Sequence, residues 1–76
     1  MKTLKLKRID SGIYEVINHG WDPLNGRLEI YRADVYGSDR EGWRSSYAEY
    51  CIFPTLSDAK AYTFVALQCD GLGVIA

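Results

Sequence analysis

Few side chains in this sequence combine the type and the spacing that catalysis requires. His19 stands three residues before Asp22 and could pair with it as an acid–base couple, but both lie in a turn-rich segment. A lone histidine needs convergent partners to act in catalysis, which favours a surface-loop histidine. Asp39 and Glu41 are two carboxylates in a polar loop, and solvation there is favoured over general acid–base pairing. The sequence therefore predicts a protein that is not an enzyme.

Sequence motifs for common catalytic and metal-binding chemistries are also missing. There is no Gly-x-Ser-x-Gly elbow, no phosphate-binding glycine loop that ends in Lys-Ser/Thr, and no His-Glu-x-x-His motif. Cys51 and Cys69 are the two cysteines, and no Cys-x-x-Cys pair occurs. Two separated cysteines and one histidine make a poor zinc site, and a cytosolic chain favours two reduced, mostly buried thiols over a disulfide. We expect no metal and no cofactor.

The length and composition indicate one globular domain that spans residues 1–76. The chain is 47% hydrophobic, which is ample for a core, and 76 residues leave no room for a second one. No apolar run approaches the roughly 20 residues that cross a bilayer. The N-terminal segment alternates polar and apolar residues, unlike the continuous apolar segment of a signal peptide. We therefore expect a cytoplasmic protein with no membrane contact.

Alternating polar and apolar residues predict four strands, at Thr3–Leu6, Ile13–Ile17, Arg27–Tyr36 and Trp43–Phe53. The apolar phase changes within the third strand, so a bulge or sharp bend is expected near Tyr31–Arg32. The predicted fold class is α+β. We expect a four-stranded antiparallel β-meander with one C-terminal helix packed on one sheet face, and with a short final strand as an option for the tail.

The predicted helix has recognisable signals at both ends. Pro54 cannot donate to a sheet ladder and ends the fourth strand, and Thr55 is a good N-cap with Asp58 in the first turn. The helix runs to about Cys69 and ends at Asp70-Gly71, where glycine tolerates the left-handed conformation. A stripe of residues at helical spacing should lie on the sheet: Leu56, Ala59, Thr63, Ala66 and Leu67.

Phe64 and Val65 point away from this stripe on a helical wheel. Leaving both in water is unfavourable for so small a chain, because burying each contributes roughly 1.5–3 kcal/mol. Two coverings are open. The tail Leu72–Ala76 folds back over them, or a second copy of the protein covers them in a homodimer.

The charges of the chain are unevenly spread. Four of the nine basic residues lie in the first eight positions, and all ten acidic residues lie after them. Lys5 and Lys7 share one face of the first strand and could bind nucleic acid beside aromatic side chains on the sheet. The acidic remainder would repel phosphates, and lysines also protect edge strands from aggregation. Nucleic-acid binding is therefore the alternative function.

The sequence contains more large aromatic residues than one short helix can cover on a sheet. It has six tyrosines and two tryptophans, and exposed aromatic residues are typical of the centres of protein interfaces. Cross-strand aromatic packing that only stabilises the sheet is the competing interpretation. The candidate partner-binding residues combine these aromatics with the acidic loop: Trp21, Tyr31, Tyr36, Asp39, Glu41 and Trp43.

The short meander followed by Phe-x-Thr-Leu-Ser-Asp-Ala-Lys, at residues 53–60, resembles small phage and prophage accessory proteins. Among these are anti-CRISPR inhibitors. The resemblance implies a non-catalytic inhibitor that docks on a host nucleic-acid-handling defence complex, such as a CRISPR effector, in the host cytoplasm. It implies a block of nucleic-acid access, and an acidic body with exposed aromatics would suit a basic nucleic-acid channel.

Overall fold

The computed structural model describes residues 3–21, 27–34 and 41–75. Within these ranges, five strands form one antiparallel sheet in sequence order, and a helix follows the last strand. The elements are β1 (Lys5–Asp10), β2 (Ile13–Ile17), β3 (Glu29–Asp34), β4 (Glu41–Ser45), β5 (Ala48–Phe53) and α1 (Leu56–Cys69). The predicted α+β class is confirmed, with an antiparallel meander and a C-terminal helix on one sheet face. No helix in the described ranges has the length and apolar character needed to cross a membrane.

The segment predicted as one long fourth strand forms the hairpin β4–β5. The chain reverses at Ser46 and Tyr47, where serine side chains bond to the backbone. The Tyr47 N–H donates to Ser45 Oγ at 3.2 Å, and the Glu29 N–H donates to Ser46 Oγ at 3.3 Å. Serine favours turns because its hydroxyl competes with the ladder for backbone groups. Ser45-Ser46 is therefore a turn signal, and it was overlooked because the residues on both sides continue the alternating pattern of a strand.

The bend predicted near Tyr31–Arg32 is wrong. β3 pairs with β4 in unbroken register from Ile30 to Asp34, so successive side chains of β3 alternate between the two sheet faces without interruption. Ala33 therefore lies on the face opposite to that of Ile30. The register shifts lie in the outer strands. One is in β1, where Ile9 is skipped between Arg8 and Asp10. The other is in β5, where the four residues 49–52 lie between the partners of Trp43 and Ser45, opposite Arg44 alone.

The signals predicted at the ends of α1 are confirmed. Thr55 has extended φ and ψ, and its hydroxyl accepts the Asp58 N–H at 3.1 Å. At the other end, Gly71 has φ +73° and its N–H donates to the Gln68 carbonyl, while the Leu72 N–H donates to the Leu67 carbonyl. This pair of hydrogen bonds is a Schellman motif, and it turns the tail back toward the sheet.

The helix buries Ala59, Thr63 and Leu67 against the sheet, as the predicted stripe requires. Phe64, which was expected to be covered either by the tail or by a second copy, is buried within the same chain. Phe64 is 6% exposed and belongs to the main hydrophobic core, and the Lys60 Nζ lies 5.5 Å from the centre of its ring. A long side chain at the edge of the stripe can reach inward where the tail folds back beside it. Phe64 is therefore excluded from the predicted homodimer contact.

The tail closes the core over β1 and β2. The Gly20 N–H donates to the Leu72 carbonyl at 2.7 Å, and the Leu4 N–H donates to the Val74 carbonyl at 2.8 Å. The Leu72 side chain packs on the core, and Gly73 lies so close to Leu4 that a β-carbon there would stand 2.5 Å from Leu4 Cδ2. The expected fold-back is therefore present, although it leaves Val65 53% exposed.

Candidate functional site

The cross-strand register sorts the sheet into two faces. Residues directly opposite one another in neighbouring strands share a face. Leu6 lies opposite Val16, and Tyr14 lies opposite the buried Ile30, so these residues mark the helix face. The other face of the sheet, called here the open face, is not covered by α1.

Lys5 and Lys7, the candidates for nucleic-acid binding, lie exposed on the open face of β1. Lys7 is directly opposite Glu15, which is in turn opposite Glu29 on β3. This row across the sheet therefore has one ammonium group, that of Lys7, and two carboxylates, those of Glu15 and Glu29. A phosphate backbone that ran along this row would meet more negative than positive charge, which weakens the electrostatic basis of nucleic-acid binding.

Tyr31 is also on the open face, half-buried between Ile13 on β2 and Arg44 on β4. Trp43 is on the helix face and packs against the core. The structure therefore separates these two predicted contact residues by the thickness of the sheet. They cannot form one contact patch.

Trp21 lies at the end of the molecule where α1 finishes, packed against the core. Its ring meets the Tyr47 ring edge to face at a centroid separation of 5.6 Å. The backbone N–H of Trp21 donates to His19 Nδ1 at 3.1 Å, so the His19 side chain stabilises the turn. Asp22, the predicted acid–base partner of His19, lies outside the described residues. Trp21 therefore has a clear structural role at this position.

The Tyr47 hydroxyl donates a hydrogen bond to an Asp70 carboxylate oxygen, Oδ2. This bond, burial of the phenol and the negative charge of Asp70 raise the pKa of Tyr47 to about 12. A phenol with so high a pKa keeps its proton at neutral pH. It is a poor nucleophile or general base there, and it ties the β4–β5 turn to the end of the helix.

Trp43 is the centre of a small group of arginine and aromatic side chains. Its ring centroid lies 6.0 Å from that of Tyr14, and the Arg32 guanidinium carbon lies 5.5 Å from the Trp43 ring. Arg8 is directly opposite Tyr14 on β1. Arg8 and Arg32 are exposed, whereas the two rings are half-buried. We call these four residues, Arg8, Tyr14, Arg32 and Trp43, the arginine–aromatic cluster.

Two acidic positions follow this cluster along the β3–β4 ladder. Asp34 and Glu41 are paired with one another in the row beyond Arg32 and Trp43. Tyr36 and Asp39, the other two predicted contact residues, lie outside the described residues.

Sequence reasoning named Trp43 but missed its three neighbours. Arg8 and Tyr14 are six residues apart in the chain, and Arg32 is far from both. Only the register of three strand pairs brings them together. The turn at Ser11-Gly12 could have predicted that Arg8 and Tyr14 are neighbours, because a short turn fixes the register of the two strands it joins.

Within the described ranges, no group of three or more His, Cys, Asp or Glu side chains is placed to hold a metal ion. Cys51 is half-buried and Cys69 is exposed, and neither is in a disulfide. The prediction of mostly buried thiols is therefore wrong for Cys69, because it follows the buried Leu67 by two positions, about 200° around the helix, on the side of α1 away from the sheet. Comparisons with protein-family models, with curated proteins and with solved structures found no match to this chain.

Proposed function

We propose that this protein is a non-catalytic protein-binding module that contacts its partner through the arginine–aromatic cluster. The observation that supports this most is the grouping of Arg8 and Arg32 with Tyr14 and Trp43. Arginine, tyrosine and tryptophan are the residue types that most often dominate binding energy at interfaces. Strands hold the backbone of these four residues, so little backbone entropy is lost when a partner binds.

The composition of the cluster favours a protein partner over nucleic acid. Arg8 and Arg32 are exposed beside the half-buried rings of Tyr14 and Trp43. Arginine combined with tyrosine and tryptophan is typical of protein interfaces, whereas a nucleic acid presents a line of phosphates that needs several cations along it. The row of Lys7, Glu15 and Glu29 weakens the nucleic-acid alternative on the other face of the sheet.

The resemblance at residues 53–60 extends the proposal to a class of partner. The protein would act in the host cytoplasm as a phage-encoded inhibitor of a complex that handles nucleic acid, and would block access of nucleic acid to it. The features that support this extension are the small size, the meander with one capped helix, and the confirmed Thr55 cap within the resembling segment.

Capture from host lysate tests the proposal with two matched charge reversals. One bait carries Arg8→Glu with Arg32→Glu on the helix face, and the other carries Lys5→Glu with Lys7→Glu on the open face. Each changes the net charge by the same amount at two exposed positions. We expect a protein captured by the wild type to survive nuclease treatment, to be lost with the arginine bait and to be kept by the lysine bait.

The opposite pattern supports the alternative function. If nuclease removes every captured protein, or if only the lysine bait loses its partner, binding runs through nucleic acid and the proposal fails. Once a partner is purified, reversing Asp39 and Glu41 to lysine should slow association more than it speeds dissociation, because charges at an interface rim act mainly on the association rate.

A further inference from the structure

Strand β5 is an edge of the described sheet and has fewer features that discourage pairing than β1, although its register against β4 shifts between Ala48 and Phe53. Within the described ranges it is the last strand of the sheet, and no strand lies beyond it. Its sequence, AEYCIF, has one charged residue, Glu49, and contains neither lysine nor proline. Ile52 on this strand is 38% exposed. An edge of this kind presents unpaired backbone donors and acceptors that suit another extended strand.

The outward side of α1 is unusually apolar for a helix that faces water. From Ala61 to Cys69 the helix has no charged residue, whereas a surface helix normally carries charge on its outward side. Tyr62 and Val65 are 42% and 53% exposed. The Tyr62 ring lies 5.2 Å from that of Phe53 at the end of β5, so the apolar helix side and the open edge are one continuous surface.

We propose that a second copy of this chain covers this surface, with β5 of each copy paired antiparallel about a two-fold axis. The two sheets then join into one, and the two helices lie side by side on the same face, running in opposite directions. Strands are about 4.8 Å apart and packed helices about 8–10 Å apart. Because α1 lies over β4 and β5, the two helices come within packing distance across the joined edge.

The charges of this surface favour a second copy as its occupant. Antiparallel pairing centred near Cys51 places position 49 of the two copies on opposite sides of the axis, so no like charges face each other along β5. From Ala61 to Cys69 the helix has no charged residue, so the two copies bring no like charges together over that part of the contact.

A single rotation therefore pairs the unpaired edge and covers the two most exposed large apolar side chains of the described chain, Val65 and Tyr62. A two-fold contact of this kind closes on itself and does not propagate into a fibre. The inference goes beyond the proposed function and uses different residues, so either can fail without the other.

Sedimentation velocity over a range of protein concentrations tests the inference directly. We expect the wild type to be a dimer at micromolar concentration. Val65→Asp and Ile52→Lys should each raise the dimer dissociation constant roughly thirtyfold or more, because each places a charge on an apolar surface that the second copy covers. The matched control is Ile9→Lys on β1, since Ile9 is 40% exposed and lies at the opposite edge of the sheet. This control should remain a dimer.

Circular dichroism confirms that each variant is folded before its mass is interpreted, and exposed positions tolerate these changes. A folded wild type that stays a monomer at every concentration overturns the inference. So does a dimer that Ile9→Lys dissociates and Val65→Asp does not. If the wild type is a monomer and its captured host partner is lost with Ile52→Lys, the surface binds a different protein and the proposed self-association is wrong.

Discussion

The two edges of the sheet are treated very differently by the same chain. β1 carries Lys5, Lys7 and Arg8, its register is broken at Ile9, and its start is bonded to the tail through the Val74 carbonyl. Charge, irregularity and cover are three established ways to prevent an edge from pairing. β5 has a single charged residue, Glu49, and a register shift against β4 between Ala48 and Phe53, and within the described residues the tail bonds to the β1 side. The β5 edge is therefore the less protected of the two.

The same contrast explains the uneven charge of the chain. A cluster of basic residues at the start of the sequence looks like a nucleic-acid site when read alone. In the fold, the lysines lie on an edge strand beside glutamates, where they discourage strand pairing. The aromatic and apolar surface lies instead on the helix face and along β5.

The largest expected effect follows from removing the cover of the β1 side. Deleting residues 72–76 removes the burial of Leu72 and uncovers Leu4, and it breaks the Gly20 and Leu4 backbone bonds to the tail. Two leucines leaving the core predict a loss of roughly 3–6 kcal/mol in the free energy of unfolding. Urea denaturation measures this. Deleting residues 75–76 is the control and should cost far less, and a full truncation that unfolds like the wild type would contradict this account of the tail.

A smaller loss is expected from the buried hydroxyl pair between the helix and β4. The Thr63 hydroxyl donates to Ser45 Oγ at 2.7 Å, and neither side chain has solvent access. Ser45→Ala removes the acceptor of the buried Thr63 hydroxyl, and also that of the Tyr47 N–H, and should cost about 1–3 kcal/mol. The double variant Ser45→Ala with Thr63→Val replaces both partners and should recover part of that loss in a chemical melt. Additive losses would show that the pair is not coupled.

The start of α1 next to the end of β5 gives the next smaller effect. Thr55→Ala removes the acceptor for the Asp58 N–H and should lower the unfolding free energy by about 0.5–2 kcal/mol. Thr55→Ser keeps the hydroxyl and is the matched control. Coincident denaturation curves for Thr55→Ala and the wild type would mean that the observed bond does not stabilise the helix.

The smallest effect is a pH dependence from the bond between Tyr47 and Asp70. Because the folded pKa of Tyr47 is raised from 10 to about 12, the neutral phenol stabilises the fold fully below pH 10 and loses this contribution as the pH approaches 12. The stability difference between the wild type and Tyr47→Phe should therefore be constant below pH 10 and shrink above it. A difference that stays constant through pH 12 would show that the phenol has an ordinary pKa.

Local patterns predicted much of this fold. Pro54, Thr55 and Gly71 act through their own backbone geometry or nearest neighbours, and the helix boundaries follow from them. The hairpin at Ser46 and Tyr47 was missed because aromatic alternation on both sides looked continuous. Its serine signal depends on a bond to Glu29 in a distant strand. The helical wheel left Phe64 and Val65 to be covered by the tail or by a second copy, and in the structure Phe64 is buried within the chain whereas Val65 is 53% exposed.

The candidate site was less predictable than the fold. Aromatic content indicated a contact surface but gave no face, and it grouped Trp21, Tyr31 and Trp43, which the structure separates. Register decides the face of each strand residue, and register depends on irregularities such as the one at Ile9 that no local pattern marked.

Amide hydrogen exchange of the two edge strands tests the contrast between them most directly. The protein is exchanged at a low and a high concentration, and protection is read for β1 (Lys5–Asp10) and β5 (Ala48–Phe53). If β5 pairs with a second copy, its outward amides should exchange more slowly at the higher concentration, while those of β1 should not change. Exchange in β5 that is independent of concentration, or concentration-dependent protection confined to β1, would contradict the assignment of β5 as the open edge.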